Sequence, residues 1–251
     1  MNNLKNSLYN LTIIFMAVIS FVITAPGTVY SADSYTQEDA KALKSTDPDA
    51  VADVLYKLQD IREASGKEGL KPAVADLITA TKRELTLPED ERWNLIDLVK
   101  ILSMTGDERA KPMLLNIMSV MWGGGNPFVA QGFLAIGKST VKDVADSLKS
   151  ASPDTRGRAA LTLHKMAQFD ESGEFFTRED REKVKKLLVE NLDDDDVNVR
   201  IYTVLSMQSF GDESVIPILE NIEKTDAHKD SGGTYEVRIG ATETLKHLRG
   251  N

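Results

Sequence analysis

One stretch of this chain has the residue types and spacing of a phosphate-binding loop. Gly132-Phe133-Leu134-Ala135-Ile136-Gly137-Lys138-Ser139 fits the pattern of a glycine, any four residues, then Gly-Lys-Ser. That chemistry needs a preceding strand and a pliable loop, so that backbone N–H groups wrap the phosphates while the lysine reaches them. Here the four intervening residues are apolar and helical in pattern, and the segment opens at a helix-capping Asn126. We expect a helix there and no nucleotide. The acids Asp193 to Asp196 have the charge of a calcium loop. They lack its alternation, its central glycine and its distal glutamate. They stand where a helix begins, and the helix dipole favours negative charge at that end. His164, His228 and His247 are the only histidines, and none has a second histidine or a cysteine at metal-ligand spacing. His164 follows Leu163 on a helical pattern and is expected to be a satisfied, partly buried side chain. No nucleophile, base and acid form a recognisable set. The sequence therefore assigns no catalytic, metal-binding or cofactor-binding residue.

The elements that would position any site are helices. Apolar residues recur at spacings of three and four, and no segment alternates with period two. The pattern runs Ala159, Ala160, Leu163, Met166, Ala167 in one segment, Val197, Ile201, Val204, Leu205 in another, and Val237, Ala241, Leu245, Leu248 in the last. Helix starts share one signature. Asp47-Pro48, Asn126-Pro127 and Ser152-Pro153 each set a capping side chain before a proline that has no N–H to lose. Thr36 with Asp39, and Thr177 with Asp180, are spaced as capping boxes.

Nearly the same turn recurs four times: Gly66-Lys67-Glu68, Gly106-Asp107-Glu108, Gly137-Lys138-Ser139 and Gly211-Asp212-Glu213. An apolar residue follows each glycine by four positions, and Pro72, Pro112 and Pro217 follow three of them by six; Asp143 takes that place in the other. The glycines lie 40, 31 and 74 residues apart, and the long interval holds an altered turn at Asp170-Glu171-Ser172-Gly173-Glu174. A recurring turn implies a recurring helix pair, and stacked helix pairs make a solenoid. The repeats read as 46–85, 88–121, 126–150, 152–192 and 195–224. A leader helix lies within 34–44 and a closing helix at 235–249. Thr225 to Thr234 is a polar linker.

Residues 1–31 read as a cleavable secretory signal. Lys5 is followed by an apolar run from Leu11 to Thr24, then by Pro26, Gly27 and small residues, with cleavage expected before Ala32. The run of 14 residues is shorter than the roughly 18 to 20 that cross a bilayer. If the signal were retained, the chain would be a membrane-tethered scaffold. There is no cysteine, which excludes disulfides and a lipid anchor and suits a bacterial periplasm or exterior. Lys5 is the sole charged residue of the signal, so the rest of the chain holds 29 basic and 39 acidic side chains, a net of −10. That balance argues against nucleic acid and anionic membrane as partners and favours a basic one.

Between Asp194 and Leu219 the chain resembles a HEAT repeat of the short bacterial type. The matching residues are Asp194-Asp195-Asp196-Val197-Asn198-Val199-Arg200, then Phe210-Gly211-Asp212-Glu213, then Ile216-Pro217-Ile218-Leu219. Val237-Arg238 repeats the Val-Arg pair, the fourth repeat keeps Asp154 and Arg156, and the first three keep the turn without the arginine. The resemblance implies a right-handed, all-α solenoid of about five helix pairs (46–251) behind a leader (32–45), with helix 235–249 as the cap. It implies that the turn glycines take a positive φ, that the proline sets the direction of the second helix, and that the arginine pairs with an acid of a neighbouring repeat. Such arrays are scaffolds, inhibitors or enzyme subunits, HEAT-like lyases among them. We expect a non-enzymatic, exported protein-binding scaffold that touches its partner through Trp122, Lys111, Asn116 and Lys142.

Overall fold

The chain is described by a computed structural model over residues 34–121 and 126–250. The expected signal at 1–31 and Trp122 lie outside the described residues. Every regular element among the described residues is helical. The elements are α1 (Gln37–Leu43), α2 (Pro48–Leu70), α3 (Val74–Thr86), α4 (Leu95–Met104), α5 (Lys111–Val120) and α6 (Asn126–Ile136). They continue with α7 (Ser139–Asp146), α8 (Pro153–Phe169), α9 (Arg178–Asn191), α10 (Val197–Phe210), α11 (Ile216–Thr225) and α12 (Glu236–Leu248). Short 3-10 turns at Lys71–Ala73, Glu108–Ala110 and Glu213–Val215 lead into α3, α5 and α11.

The local chemistry explains these boundaries. Asp47 and Ser152 accept backbone N–H bonds ahead of Pro48 and Pro153. Thr36 with Asp39 and Thr177 with Asp180 form complete capping boxes. In the Gly-Asp turns the aspartate is itself a cap: Asp107 accepts from the Arg109 N–H and Asp212 from the Ser214 N–H. Each therefore starts the 3-10 turn that precedes a proline-bearing helix.

The turn glycines are not equivalent. Gly66, Gly106, Gly137 and Gly173 have φ of 66°, 57°, 126° and 66°, positive values that cost other residues about 1–3 kcal/mol. Gly66 breaks α2 within its last turn. Gly211, in the segment of strongest resemblance, departs from the expected positive φ. It is extended, at φ −75° and ψ 159°. Glycine is needed there for space: a Cβ would sit 2.6 Å from the Met207 carbonyl oxygen and 3.0 Å from Val215 Cγ2.

Packing follows chain order. The first helices of successive pairs contact each other in series, α2 on α4, α4 on α6, α6 on α8, α8 on α10 and α10 on α12. Each of α4, α6, α8, α10 and α12 also contacts the helix just before it in the chain, the second helix of the preceding pair. The core is continuous from Leu43 and Val51 to Ala241 and Leu245. A helix sandwiched between two neighbours buries more than one stripe. In α10 the buried residues are Val199, Thr203, Val204, Ser206, Met207 and Phe210, whereas Val197, Ile201 and Leu205 are only half-buried. The expected stripe is thus rotated toward small and polar residues, whose hydroxyls bond across the helices. Ser206 donates to the Ala160 carbonyl at 2.8 Å, and Thr244 of α12 donates to the Val204 carbonyl at 3.0 Å.

Candidate functional site

The phosphate-loop pattern lies in α6 and the turn after it. A helix commits its backbone N–H groups to its own carbonyls, so it cannot offer them as a cradle. Gly132 is buried, and a Cβ on it would lie 2.8 Å from Leu114 Cδ1 and 2.9 Å from Ser103 Oγ. Its role is close helix packing. Lys138 is exposed, and Ser139 donates to Glu108 Oε1 at 2.9 Å. Two of the acids at 193–196 are likewise occupied. Asp196 caps α10 through the Asn198 and Val199 N–H groups, and Asp194 binds Arg156. Among the described residues no three His, Cys, Asp or Glu side chains are grouped to hold a metal ion.

His164 is 2% exposed, and its Nδ1 lies 2.9 Å from Ser209 Oγ. Burial, with the positive field of Lys165 and of His247, pulls its pKa down to about 4. It is a neutral core histidine. His247 is exposed, and the backbone N–H of His228 donates to Asp226 Oδ1.

Of the expected partner-binding residues, Lys111 stands at the start of α5 and bridges Glu108 at 3.3 Å and Asp143 at 3.2 Å. These hydrogen bonds, led by that to Asp143, raise its pKa above the ordinary lysine value. It therefore ties α5 to α7. Lys142 is exposed and paired with Asp146 one turn on, at 2.5 Å. Asn116 is exposed and lines a groove of about 370 Å³ with Ile78 and Lys82 of α3 and Arg109, Pro112 and Met113. The three residues lie on neighbouring second helices. They do not converge on one point.

An arginine ladder crosses the last three first-helices. Arg156 Nε and Nη2 donate to the two carboxylate oxygens of Asp194, each at 2.8 Å. Arg200, one repeat on, donates to Asp226 Oδ2 at 2.9 Å and to the Asp194 carbonyl at 2.7 Å. Arg238 donates to the Asp226 carbonyl and stacks on the Tyr235 ring at 4.0 Å. Burial alone would raise the Asp194 carboxyl; the Arg156 hydrogen bonds and charge outweigh it and hold it below its ordinary range. Arg156 and Arg200 each tie a first helix to the joint that leads out of its own helix pair.

A second cavity, of about 400 Å³, was not anticipated. It is lined by Thr46 and Pro48 at the start of α2, Arg83, Glu84 and Leu87 at the end of α3, and Glu91 and Trp93 of the link that follows. Glu84 is 4% exposed. A signal for it was present in the sequence, because Glu84 continues the buried stripe Leu77, Ala80, Thr81 at helical spacing.

No protein-family model matches the chain, and no curated protein matches it. Among solved structures, the crystal structure of an engineered protein is similar over 86% of this chain and 98% of its own, at 17% sequence identity and a TM-score of 0.42.

Proposed function

We propose that this protein is an exported, non-enzymatic scaffold, an α-solenoid of five HEAT-like helix pairs closed by α12. The observation that carries the reading is the serial packing of α2, α4, α6, α8, α10 and α12, riveted at its end by the Arg156–Asp194 and Arg200–Asp226 pairs. Serial packing occupies the first helices with one another. The second helices α3, α5 and α7 then carry the polar residues left for a partner, Asn116 and Lys142 among them, with Lys111 at their edge. In repeat arrays such a surface is extended and suits a protein chain better than a small substrate. The acidic balance of residues 32–251 favours a basic partner.

Bacterial export through residues 1–31 is part of this reading. Among the described residues no helix is long and apolar enough to cross a membrane. The test is quantitative capture from cells that make the protein. Wild type is compared with an Asn116→Ala, Lys142→Ala variant of unchanged melting temperature, Lys111 being kept because it joins α5 to α7. Loss of one abundant partner in the variant supports the reading. An unchanged set of captured proteins, or turnover of a small molecule by the purified chain, contradicts it.

A further inference from the structure

The cavity between α2 and α3 is lined in part by a half-paired carboxylate. Glu84 Oε1 accepts from Arg83 Nη2 at 3.0 Å, whereas its Oε2 is buried with no hydrogen-bond partner. A buried carboxylate oxygen without a donor costs roughly 1–3 kcal/mol or more, so it marks a place where a donor belongs. Arg83 cannot turn to supply one. Its Nη1 is bonded to the carbonyls of Leu43 and Ser45, at the α1–α2 joint. The nearby Arg92 is likewise engaged by the Leu87 and Leu85 carbonyls. Asn94 donates to the Pro48 carbonyl at 3.0 Å, which ties the link to α2 and fixes the cavity wall.

The field inside the cavity is negative. Its lining holds one cation, Arg83, against two carboxylates, Glu84 and Glu91. The turn that carries Glu91 also carries Glu89 and Asp90. α3 ends at Thr86 beside the cavity, so the negative end of its dipole adds to the same sign. The remaining wall is apolar: Pro48, Leu87 and the ring of Trp93, which is 75% exposed. An exposed tryptophan next to carboxylates is the pairing that receives a cation on a hydrocarbon stem.

We propose that this cavity is a receptor for an arginine or lysine side chain of the protein partner. The charged head meets Glu91 and, by a small turn of the Glu84 carboxylate toward the cavity, satisfies the unpaired Oε2; the methylenes lie along Leu87 and Pro48, and Trp93 covers the cation. The proposal rests on the scaffold reading and adds to it the chemistry of one anchor residue. A neutral sugar is the competing occupant, since tryptophan stacks on pyranose rings and carboxylates accept from hydroxyls. The charge of the lining and the buried acceptor favour the cation.

The chain has two tryptophans, so Trp122→Phe leaves Trp93 as the sole indole reporter. In that background, Trp93 fluorescence and its indole N–H resonance are followed during titration with acetyl-Gly-Arg-Gly-amide, acetyl-Gly-Lys-Gly-amide, acetyl-Gly-Gln-Gly-amide and maltotriose. The expected result is a saturable change with the arginine or lysine peptide, weakened by salt, and none with the glutamine peptide or the sugar. Glu84→Gln should weaken binding by about tenfold or more, the loss of a charged hydrogen bond. Glu91→Gln, an exposed change that cannot compromise folding, should weaken it by about two- to fivefold. No saturation with either cationic peptide, a response to maltotriose instead, or equal affinity in both variants overturns the proposal. Failure here with partner capture intact removes only the anchor; loss of capture in the α5–α7 variant with the titration intact removes the scaffold surface and leaves the pocket.

Discussion

Replacing Gly211 by asparagine separates two reasons for a turn glycine. If a positive φ were the reason, asparagine would serve nearly as well, because it enters the left-handed region at little cost. Gly66 is a purely backbone site of a stricter kind: φ 66° with ψ −167° is a region open almost only to glycine, and nothing lies within 4 Å of an added Cβ. Gly66→Asn should therefore cost about 1–3 kcal/mol through the backbone alone, with no steric part. Gly211 is extended, and its Cβ would meet the Met207 carbonyl oxygen at 2.6 Å. The same carbonyl accepts the Gly211 N–H at 2.8 Å, which is the final bond of α10. Relieving the clash means moving that carbonyl by a few tenths of an ångström or losing the bond. Overpacking costs about 1–3 kcal/mol and a lost bond about 1, so Gly211→Asn should cost about 2–4 kcal/mol. For a chain of this size that lowers the melting temperature by roughly 5–15 °C. Thermal melts of both variants by circular dichroism give the answer. A negligible effect at Gly211 would refute the steric explanation.

Three further outcomes follow from the packing. His164 has a folded pKa of about 4 against an ordinary 6.5, so the unfolded chain binds its proton first; the stability it contributes is complete above pH 6.5 and is lost as the pH falls toward 4, by up to about 3 kcal/mol. Chemical denaturation between pH 7 and 4.5 should show wild type losing more than His164→Gln, and identical slopes would contradict it. Asp107 and Asp212, held to about 2 by the Arg109 and Lys185 side chains, add an acid loss only below the ordinary aspartate value of 3.8, outside that window. A double-mutant cycle of Arg156→Gln and Asp194→Asn should give a coupling of about 1–3 kcal/mol, since both side chains are largely shielded from water; additivity would mean the pair joins nothing. Removing residues 235–251 should uncover Val204 and Met207, lower the melting temperature and produce self-association by light scattering; a monomer of full stability would show α12 to be dispensable.

The helices and their joints were legible because they are written in local chemistry. Caps such as Thr36, Ser152 and Thr177, and the Gly-Asp turns, act within a few residues of themselves. That the arginine would pair with an acid of a neighbouring repeat was expected from the resemblance alone; the partner of Arg156, Asp194, lies 38 residues away and no local rule points to it. Two things were misread or missed for the same reason. Gly211 has the sequence of the other turns, but its conformation is set by Val215 and the end of α10, so its letter alone does not separate crowding from backbone freedom. Glu84 reads as one more acid in an acid-rich chain. Its helical spacing from Leu77, Ala80 and Thr81 was a signal, but only packing shows one oxygen bonded to its neighbour and the other left over.

On the proposed function, the second-helix row carries a protein partner while the first-helix row is occupied by the stack. Site-specific photo-crosslinking tests this in the cells that make the protein. The reporter is placed at Lys82 or Asn116 of the α3–α5 groove, and, on the other row, at the exposed Tyr56 of α2 or Ile239 of α12. One discrete partner should be crosslinked from Lys82 and Asn116 and be absent from Tyr56 and Ile239. Equal labelling from both rows, or no adduct from the groove when the partner is co-purified, would contradict the assignment.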